Sequence, residues 1–176
     1  YCDRENNSVW IGLYNQGMCY YHPSMNKIVL YNKKMINGDW KGEEIRCMLE
    51  TSKGEILMGT TQGVYRYEPE TKSMNRFYHE FSQKNCRVLY EDSKKRVWVG
   101  TYHDGLYCID HGKVQSYDYP DTDYQNELDF SNIRVMVEDS SGRLWVSIYG
   151  GVGLFNPENG QINLLSEQFP ELKKYK

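Results

Sequence analysis

Seven side chains in three short segments have the chemical types that bind polar ligands. They are Tyr14, Asn15 and Gln16, then Tyr102, His103 and Asp104, and finally Tyr149. Tyrosine rings can stack on the apolar faces of sugar rings, while amide, carboxylate and imidazole groups hydrogen-bond to hydroxyls. We therefore treat these seven as candidate ligand-binding residues and expect a sugar as the ligand class. The alternative is that the aromatic rings only cap the packing between structural elements.

Other kinds of chemistry have weaker support in the sequence. Five acidic residues lie close together without a lysine or arginine among them, at Asp118, Asp121, Asp123, Glu127 and Asp129. Oxygen ligands suit Ca²⁺, but the spacing of a calcium loop is missing, so a solvated loop is the preferred interpretation. The four histidines are scattered, and no Gly-x-Ser-x-Gly segment occurs. We expect no catalytic residue, no metal site and no cofactor, so this segment is predicted not to be an enzyme.

Composition limits the partners further. The chain has 176 residues, of which 39% are hydrophobic and 26% charged, with a net charge of −3. It therefore offers no basic field for nucleic acid. It also contains no stretch of about 18 apolar residues that could span a membrane, so we expect no membrane contact by this segment. Its five cysteines include no Cys-x-x-Cys pair, and we interpret them mostly as small core hydrophobes.

An internal repeat sets the scaffold that must position the candidate residues. One landmark recurs at Trp10, Leu57, Trp98 and Trp145, at intervals of 41 to 47 residues. A glycine follows each landmark by six or seven residues, at Gly17, Gly63, Gly105 and Gly151. The residues before the landmark alternate between apolar and polar with a period of two, as in Ile45–Glu50, which predicts β-strands.

Each repeat is predicted to form four short antiparallel strands, A to D, with the landmark in strand B. Four strands per repeat, this spacing and no helical periodicity together indicate an all-β fold of β-propeller blades. The blades are predicted at about residues 1–44, 45–85, 86–132 and 133–176, and the first blade lacks its strand A. The chain would then be a partial propeller.

The order of the strands predicts where the candidate residues meet. In a four-stranded antiparallel blade the B–C loops and the D-to-A connectors leave from one end, and the A–B and C–D turns leave from the other. The A–B turns barely differ between repeats, whereas the B–C loops that carry the seven candidate residues diverge. Variable loops on a constant scaffold are a common place for recognition. Two long connectors, 32–44 with Trp40 and 118–132 with Tyr119 and Tyr124, are predicted at the same end.

The repeat sequence itself resembles a known family. The pattern Glu-Asp-Ser, then Leu or Val with Trp-Val-Gly-Thr, then Gly with Leu or Val runs through Val88–Leu106. It also runs through Val135–Val152, with Ser147 in place of the repeat glycine and Ile148 in place of the threonine. It is similar to the two-component regulator propeller repeat. That resemblance implies seven-bladed propellers in the periplasmic sensor regions of hybrid two-component systems of gut Bacteroidetes, which respond to polysaccharide breakdown products.

The resemblance implies a function and a location for this chain. It would be a ligand-sensing propeller fragment of a hybrid sensor histidine kinase, with a periplasmic location and an oligosaccharide ligand. Its partners would be that ligand and the neighbouring blades of the same receptor. Self-association is also expected, because exposed blade edges pair readily with other chains. The alternatives are a protein-interaction or dimerisation scaffold and a propeller lyase or hydrolase, because this fold hosts enzymes too.

Overall fold

The structure is a computed structural model that describes residues 2, 7–14, 16–119 and 128–174. The strands in chain order are β1 Val9–Leu13, β2 Gly17–His22, β3 Lys27–Tyr31, β4 Asn37–Gly38, β5 Ile45–Glu50, β6 Ile56–Thr60, β7 Gly63–Glu68, β8 Ser73–Arg76, β9 Cys86–Glu91, β10 Val97–Thr101, β11 Leu106–Asp110, β12 Lys113–Tyr117, β13 Asp129–Glu138, β14 Leu144–Tyr149, β15 Gly151–Phe155 and β16 Ile162–Leu164. Over these ranges, helical structure is confined to short turns and the four-residue helix α1, Leu165–Gln168.

The strands form four separate sheets, which we number blades 1 to 4. Blade 1 has the order β1-β2-β3, blade 3 the order β12-β11-β10-β9, and blade 4 the order β13-β14-β15-β16. Blade 2 has the order β4-β8-β7-β6-β5, with β4 parallel to β8. The all-β fold of consecutive antiparallel blades is therefore confirmed. Among the described residues the first blade has three paired strands, as its truncated repeat predicted.

The chain divides into two compact units, Tyr1–Leu89 and Tyr90–Lys176. The core of the first unit includes Trp10, Met58, Tyr65 and Tyr67, all of them at most 8% exposed. The second unit contains the candidate residues from Tyr102 onward. Within the described residues, no helix has the length and apolar character needed to cross a membrane.

An aspartate in the A–B turn of blade 3 connects the turn to the landmark tryptophan. Asp92 Oδ1 accepts hydrogen bonds from the backbone N–H groups of Lys94 and Arg96, at 3.0 and 2.9 Å. Its other oxygen accepts from Arg96 Nε at 2.7 Å and from Trp98 Nε1 at 2.8 Å. The buried indole N–H and the buried carboxylate therefore satisfy each other.

The other blades show how this network depends on sequence. In blade 4, Asp139 accepts from Arg143 Nε at 2.7 Å and from Trp145 Nε1 at 2.9 Å, repeating the arrangement of blade 3. In blade 2, where Leu57 replaces the tryptophan, Thr51 replaces the aspartate, and its hydroxyl accepts only backbone N–H groups of its own turn. The aspartate therefore occurs where an indole N–H needs an acceptor.

A cluster of three aromatic rings joins the two blades within each unit. In the first unit the Trp10 ring lies 6.1 Å from Tyr31 and 5.5 Å from Tyr67, the latter edge to face at 70°. Tyr67 belongs to blade 2 and lies four residues after Gly63. Since edge-to-face packing is the preferred geometry of such rings, the cluster stabilises the contact between blades 1 and 2.

The second unit repeats this cluster between blades 3 and 4. Trp98 is fully buried, and its ring lies 5.9 Å from Tyr117 and 5.4 Å from Phe155, the latter at 81°. Phe155 comes four residues after Gly151, at the position of Tyr67 in blade 2. Tyr117 also donates its hydroxyl to the backbone oxygen of Pro157 at 2.8 Å. The landmark Trp98 therefore packs between blades 3 and 4.

The connector 32–44 was predicted at the end that carries the B–C loops, and its tryptophan is a buried core residue. Trp40 is only 3% exposed and packs in the core of the first unit, where its Nε1 donates to the backbone oxygen of Glu43. The same connector adds β4 to the edge of blade 2. Burial of an apolar ring and a strand pairing fix this segment, so Trp40 cannot contact a ligand.

The cysteines agree in part with their interpretation as core residues. Cys86 and Cys108 are buried, Cys19 and Cys47 are partly buried, and Cys2 is exposed, all as free thiols. Burial raises the pKa of Cys108 to about 11, so its thiol stays protonated and unreactive at neutral pH.

Candidate ligand-binding site

The B–C loop of blade 3 is closed by its own backbone and by a threonine. The Thr101 hydroxyl donates to the backbone oxygen of Gly105 at 2.8 Å and accepts from the backbone N–H of Asp104 at 3.0 Å. Gly105 has a φ of +75°, and a β-carbon there would collide with the Tyr117 carbonyl oxygen. His103 also has a positive φ, +77°, which is uncommon for a side chain other than glycine or asparagine. A rigid base thus presents the three loop residues.

His103 reaches from this loop to a buried carboxylate. Its Nδ1 lies 3.0 Å from Asp129 Oδ2, and the side chains of His103 and Asp129 are 56% and 8% exposed. The other Asp129 oxygen accepts from the backbone N–H and from the hydroxyl of Ser131, at 3.0 and 2.5 Å. The backbone N–H and the hydroxyl of Ser131 therefore hold the Asp129 carboxylate in place. The carboxylate in turn orients the His103 imidazole.

Tyr149, the third candidate segment, lies next to Asp129 in the sheet of blade 4. Tyr149 is the register partner of Asp129 across β13 and β14, and its ring is 49% exposed. The Arg134 guanidinium lies over this ring, 4.9 Å from its centroid. The Tyr102 ring packs beside the His103 ring, with 3.8 Å between centroids. We call this group the Asp129 cluster; its members are Tyr102, His103, Asp129, Ser131, Arg134 and Tyr149.

The position of Asp129 corrects the interpretation of the acidic stretch. A solvated loop was expected from Asp118 to Asp129, but Asp129 is 6% exposed and begins β13. The strand accommodates it through register shifts between Asp129 and Ile133 and between Ile133 and Val135. Asp118 is exposed. The remaining three acids of the stretch and Tyr124 lie outside the described residues.

The candidate residues of blade 1 lie in the first unit. Tyr14 is 74% exposed in the turn between β1 and β2, and Gln16 is also exposed. Asn15 lies outside the described residues. Of the seven predicted side chains, the structure groups Tyr102, His103 and Tyr149 around Asp129, and Asp104 is half-buried in the same loop as His103, whereas Tyr14 and Gln16 belong to the first unit.

Three members of the Asp129 cluster were not among the predicted candidates. Asp129 was considered only as one of five acids in a predicted solvated loop, and neither Ser131 nor Arg134 was a candidate. The signal for Asp129 was its spacing from Ser131, because an aspartate commonly accepts from the backbone N–H two residues later. Nothing local in the sequence indicates that His103 contacts it, since 26 residues separate them.

A cavity of about 430 Å³ opens at the opposite end of the second unit, where the A–B and C–D turns lie. Its lining residues include Lys94, Arg96, Lys113, Tyr117 and Glu158. Several of its polar groups are already engaged, because Arg96 pairs with Asp92 and the Tyr117 hydroxyl bonds to Pro157. The cavity is therefore a second candidate site, in which the Arg96 and Tyr117 polar groups are already engaged.

The Asp129 cluster suits binding better than catalysis or metal coordination. It presents the exposed Tyr149 ring, the half-buried Tyr102 ring, one imidazole and one guanidinium around an immobilised carboxylate, a combination that fits hydroxyl-rich ligands with an apolar face. In the described part of the chain, no group of three or more His, Cys, Asp and Glu side chains is placed to hold a metal ion.

The four antiparallel sheets and their exposed loops define the chain as part of a β-propeller. Residues 80–103 and 127–150 match the family model described as the two component regulator propeller. This match confirms the resemblance of the sequence to the two component regulator propeller repeat in these two segments. A search of curated protein sequences found no match.

Solved structures with the same fold include extracellular domains of two component systems and a lyase. The extracellular domain of BT3049 from B. thetaiotaomicron, assigned to the hybrid two component systems, is 28% identical with a TM-score of 0.68 over 93% of this chain. The extracellular domain of BT4673 from the same organism, also so assigned, is 17% identical with a TM-score of 0.72 over 96% of this chain. Virginiamycin B lyase from Staphylococcus aureus is 15% identical with a TM-score of 0.68 over 93% of this chain.

The chain spans only part of each of these proteins. It covers 21% of the BT3049 chain, 25% of the BT4673 chain and 53% of the lyase chain. The likeness to BT4673 and to the lyase shows the fold alone. The chain is thus similar to propeller domains that lie outside the cell in two component systems.

Proposed function

We propose that this chain is part of the extracytoplasmic, ligand-sensing propeller of a hybrid two-component sensor histidine kinase and that it binds an oligosaccharide. The observation that carries the proposal is the Asp129 cluster, which gathers candidate side chains from two blades at the B–C end. The family of the repeats and the 28% identity to a two component extracellular domain support the sensor class and a periplasmic location.

Binding would use the two kinds of surface in the cluster. The exposed face of Tyr149 offers a stacking platform, and the Arg134 guanidinium beside it keeps that ring oriented. His103, held by Asp129, presents its outer ring nitrogen to a hydroxyl. Because the loop and the carboxylate are already fixed in the free protein, little ordering entropy opposes binding.

The test is calorimetry of a panel of neutral and uronic-acid oligosaccharides with His103→Gly and its matched control His111→Gly. Both histidines have a positive φ, at +77° and +47°, which glycine adopts without strain. Both also pair with an aspartate, so the two substitutions remove similar contacts. His111 lies in the C–D turn, at the opposite end of the same blade. We expect His103→Gly to weaken binding by about 10-fold or more, since leaving a buried ligand hydroxyl without its partner costs about 1–3 kcal/mol.

Binding in the cavity at the A–B and C–D end would contradict the proposed site. If His103→Gly and Tyr149→Ala bind like the wild type while Lys113→Ala abolishes binding, the ligand site lies at the A–B and C–D end. In the intact receptor, Tyr102→Ala and Asp104→Ala are then compared with substitutions in the A–B turns. Ligand affinity and signalling output must fall for Tyr102→Ala and Asp104→Ala and stay unchanged for the substitutions in the A–B turns.

A further inference from the structure

Two cysteines of the first unit meet beside a glycine. Cys47 lies in β5 directly across from Gly59 of β6, and Cys86 is the first residue of β9. A β-carbon on Gly59 would collide with the Cys47 thiol and would lie 3.2 Å from the Cys86 β-carbon. The Cys47 thiol and the Cys86 side chain therefore border the same small space, which exists because residue 59 has no side chain.

Both cysteines replace aliphatic residues of the repeat. The position of Cys86 is occupied by Ile45 and Ile133 in the neighbouring repeats, and the position of Cys47 is a valine in the two repeats that follow. Ile45 packs on a glycine in the same way, because its β-carbon lies 3.3 Å from the place of a β-carbon on Gly12. Aliphatic side chains thus fill such a contact, and packing alone does not require a thiol on both sides of it.

We propose that Cys47 and Cys86 form a disulfide bond that joins β5 to β9. A disulfide needs β-carbons about 3.5–4.5 Å apart, and the missing side chain of Gly59 leaves space for the two sulfur atoms. The Cys86 thiol donates weakly to the backbone oxygen of Lys84, at 3.6 Å, and must turn from this acceptor towards Cys47. The bond closes a loop that contains β6, β7 and β8, which stabilises the fold chiefly by restricting the unfolded chain.

Formation of the bond needs an oxidant, and a small-molecule or protein disulfide can act as one. One cysteine thiolate attacks a sulfur of the oxidant and releases the first thiol, and the second cysteine then attacks the mixed disulfide and releases the other thiol. The two protein thiols lose two protons and two electrons, which the S–S bond of the oxidant takes up as it becomes two thiols. The periplasmic location proposed above would supply such an oxidant.

Burial of the Cys47 thiol affects when the bond forms. It raises the pKa of Cys47 to about 12, so the thiolate that exchange requires is scarce in the folded protein. The bond should therefore form during folding, while both thiols are accessible. The proposal does not depend on the Asp129 cluster or on any ligand.

The test is refolding of the wild type from urea in a buffer of reduced and oxidised glutathione, followed by blocking of free thiols and digestion with trypsin. Trypsin cleaves after lysine and arginine, so Cys47 falls in the peptide 47–53 and Cys86 in the peptide 85–87. Mass spectrometry should find these two peptides joined in most chains, with the mass of the pair lowered by two hydrogen atoms. Dithiothreitol should separate them and lower the urea midpoint of unfolding.

Matched variants separate the bond from the packing. Cys47→Val and Cys86→Ile introduce the residues of other repeats, so both should fold, but neither can form the link. Oxidation should raise the urea midpoint of the wild type and of Cys108→Ala, and it should leave the midpoints of the first two variants unchanged. The peptide readout needs only the wild type, so it remains decisive if a variant does not fold.

Two results would overturn the proposal. The first is recovery of Cys47 and Cys86 from the refolded wild type as free thiols, as glutathione adducts or in bonds to other cysteines. The second is an equal rise of the urea midpoint on oxidation in wild type and Cys86→Ile.

Discussion

Replacing Asp92 and Trp98 of blade 3 with the Thr and Leu of blade 2 tests whether the turn and the landmark are coupled. Trp98→Leu removes aromatic contacts and leaves a cavity, which we expect to cost about 2–3 kcal/mol, somewhat less than truncation to alanine. Asp92→Thr can still cap the turn, as Thr51 does, but it leaves the buried Trp98 indole N–H without its acceptor. An unsatisfied buried donor costs about 1–3 kcal/mol.

The double variant should be more stable than the sum of the single losses. Leucine has no N–H that needs an acceptor, so the penalty of Asp92→Thr largely disappears once the indole is gone. We expect a coupling free energy of about 1–2 kcal/mol, within the range for residues in one hydrogen-bond network. Urea unfolding of the four proteins, followed by far-ultraviolet circular dichroism, measures it.

Blade 4 supplies the matched control for this cycle. Asp139 makes the same bonds to Trp145, but its side chain is 24% exposed, against 0% for Asp92. Water can replace the lost partner there, so the coupling between Asp139→Thr and Trp145→Leu should be smaller. Additivity in blade 3 within about 0.5 kcal/mol would refute the reasoning, because it would mean that the indole bond contributes nothing specific.

Three further predictions concern acid stability, the aromatic cluster and thiol reactivity. Burial opposes ionisation of Asp92, but the hydrogen bonds from the Trp98 indole and from Arg96 outweigh it and lower the pKa. The stability from this carboxylate is therefore present above the unfolded pKa of about 3.9 and is lost as pH falls through the lower folded pKa, so Asp92→Asn should flatten the acid limb of a stability–pH curve. Tyr117→Phe keeps the ring and loses the bond to Pro157, so chemical denaturation should show a loss of about 0.5–1.5 kcal/mol; no change would mean that water replaces the bond. A thiol reagent under native conditions should label exposed Cys2 and spare Cys108, and equal labelling would contradict the burial of Cys108.

The repeat made the blades and the landmark residues predictable. Local alternation and the recurring glycines specify strands and turns, because these depend on neighbours in sequence. Burial was less predictable, because it depends on what packs against a residue. Trp98 and Trp145 have the same local motif, yet only Trp98 is fully buried, since Phe155 of the following blade covers it.

Contacts between distant segments could not be predicted from local patterns. Trp40 lies in a connector without periodicity, and its burial accompanies the parallel pairing of β4 with β8. In the sequence, Asp129 cannot be told apart from the acidic residues before it. The structure shows that register shifts in β13 accommodate it beside the B–C loop of blade 3. The candidate side chains could be selected by their chemical types and by the variability of their loops. The role of the Asp129 carboxylate in orienting them could be recognised only from the structure.

The most direct test of the proposed ligand site is the NMR spectrum of the histidine side chains during addition of the oligosaccharide panel. The chain has four histidines, His22, His79, His103 and His111, and of these only His103 belongs to the Asp129 cluster. A ligand bound at the cluster must shift the ring signals of His103 and leave those of His111, at the other end of the same blade, unchanged. Saturating shifts at His103 alone are the predicted result. Shifts at His111 without His103, or no histidine shift with any member of the panel, would contradict the site.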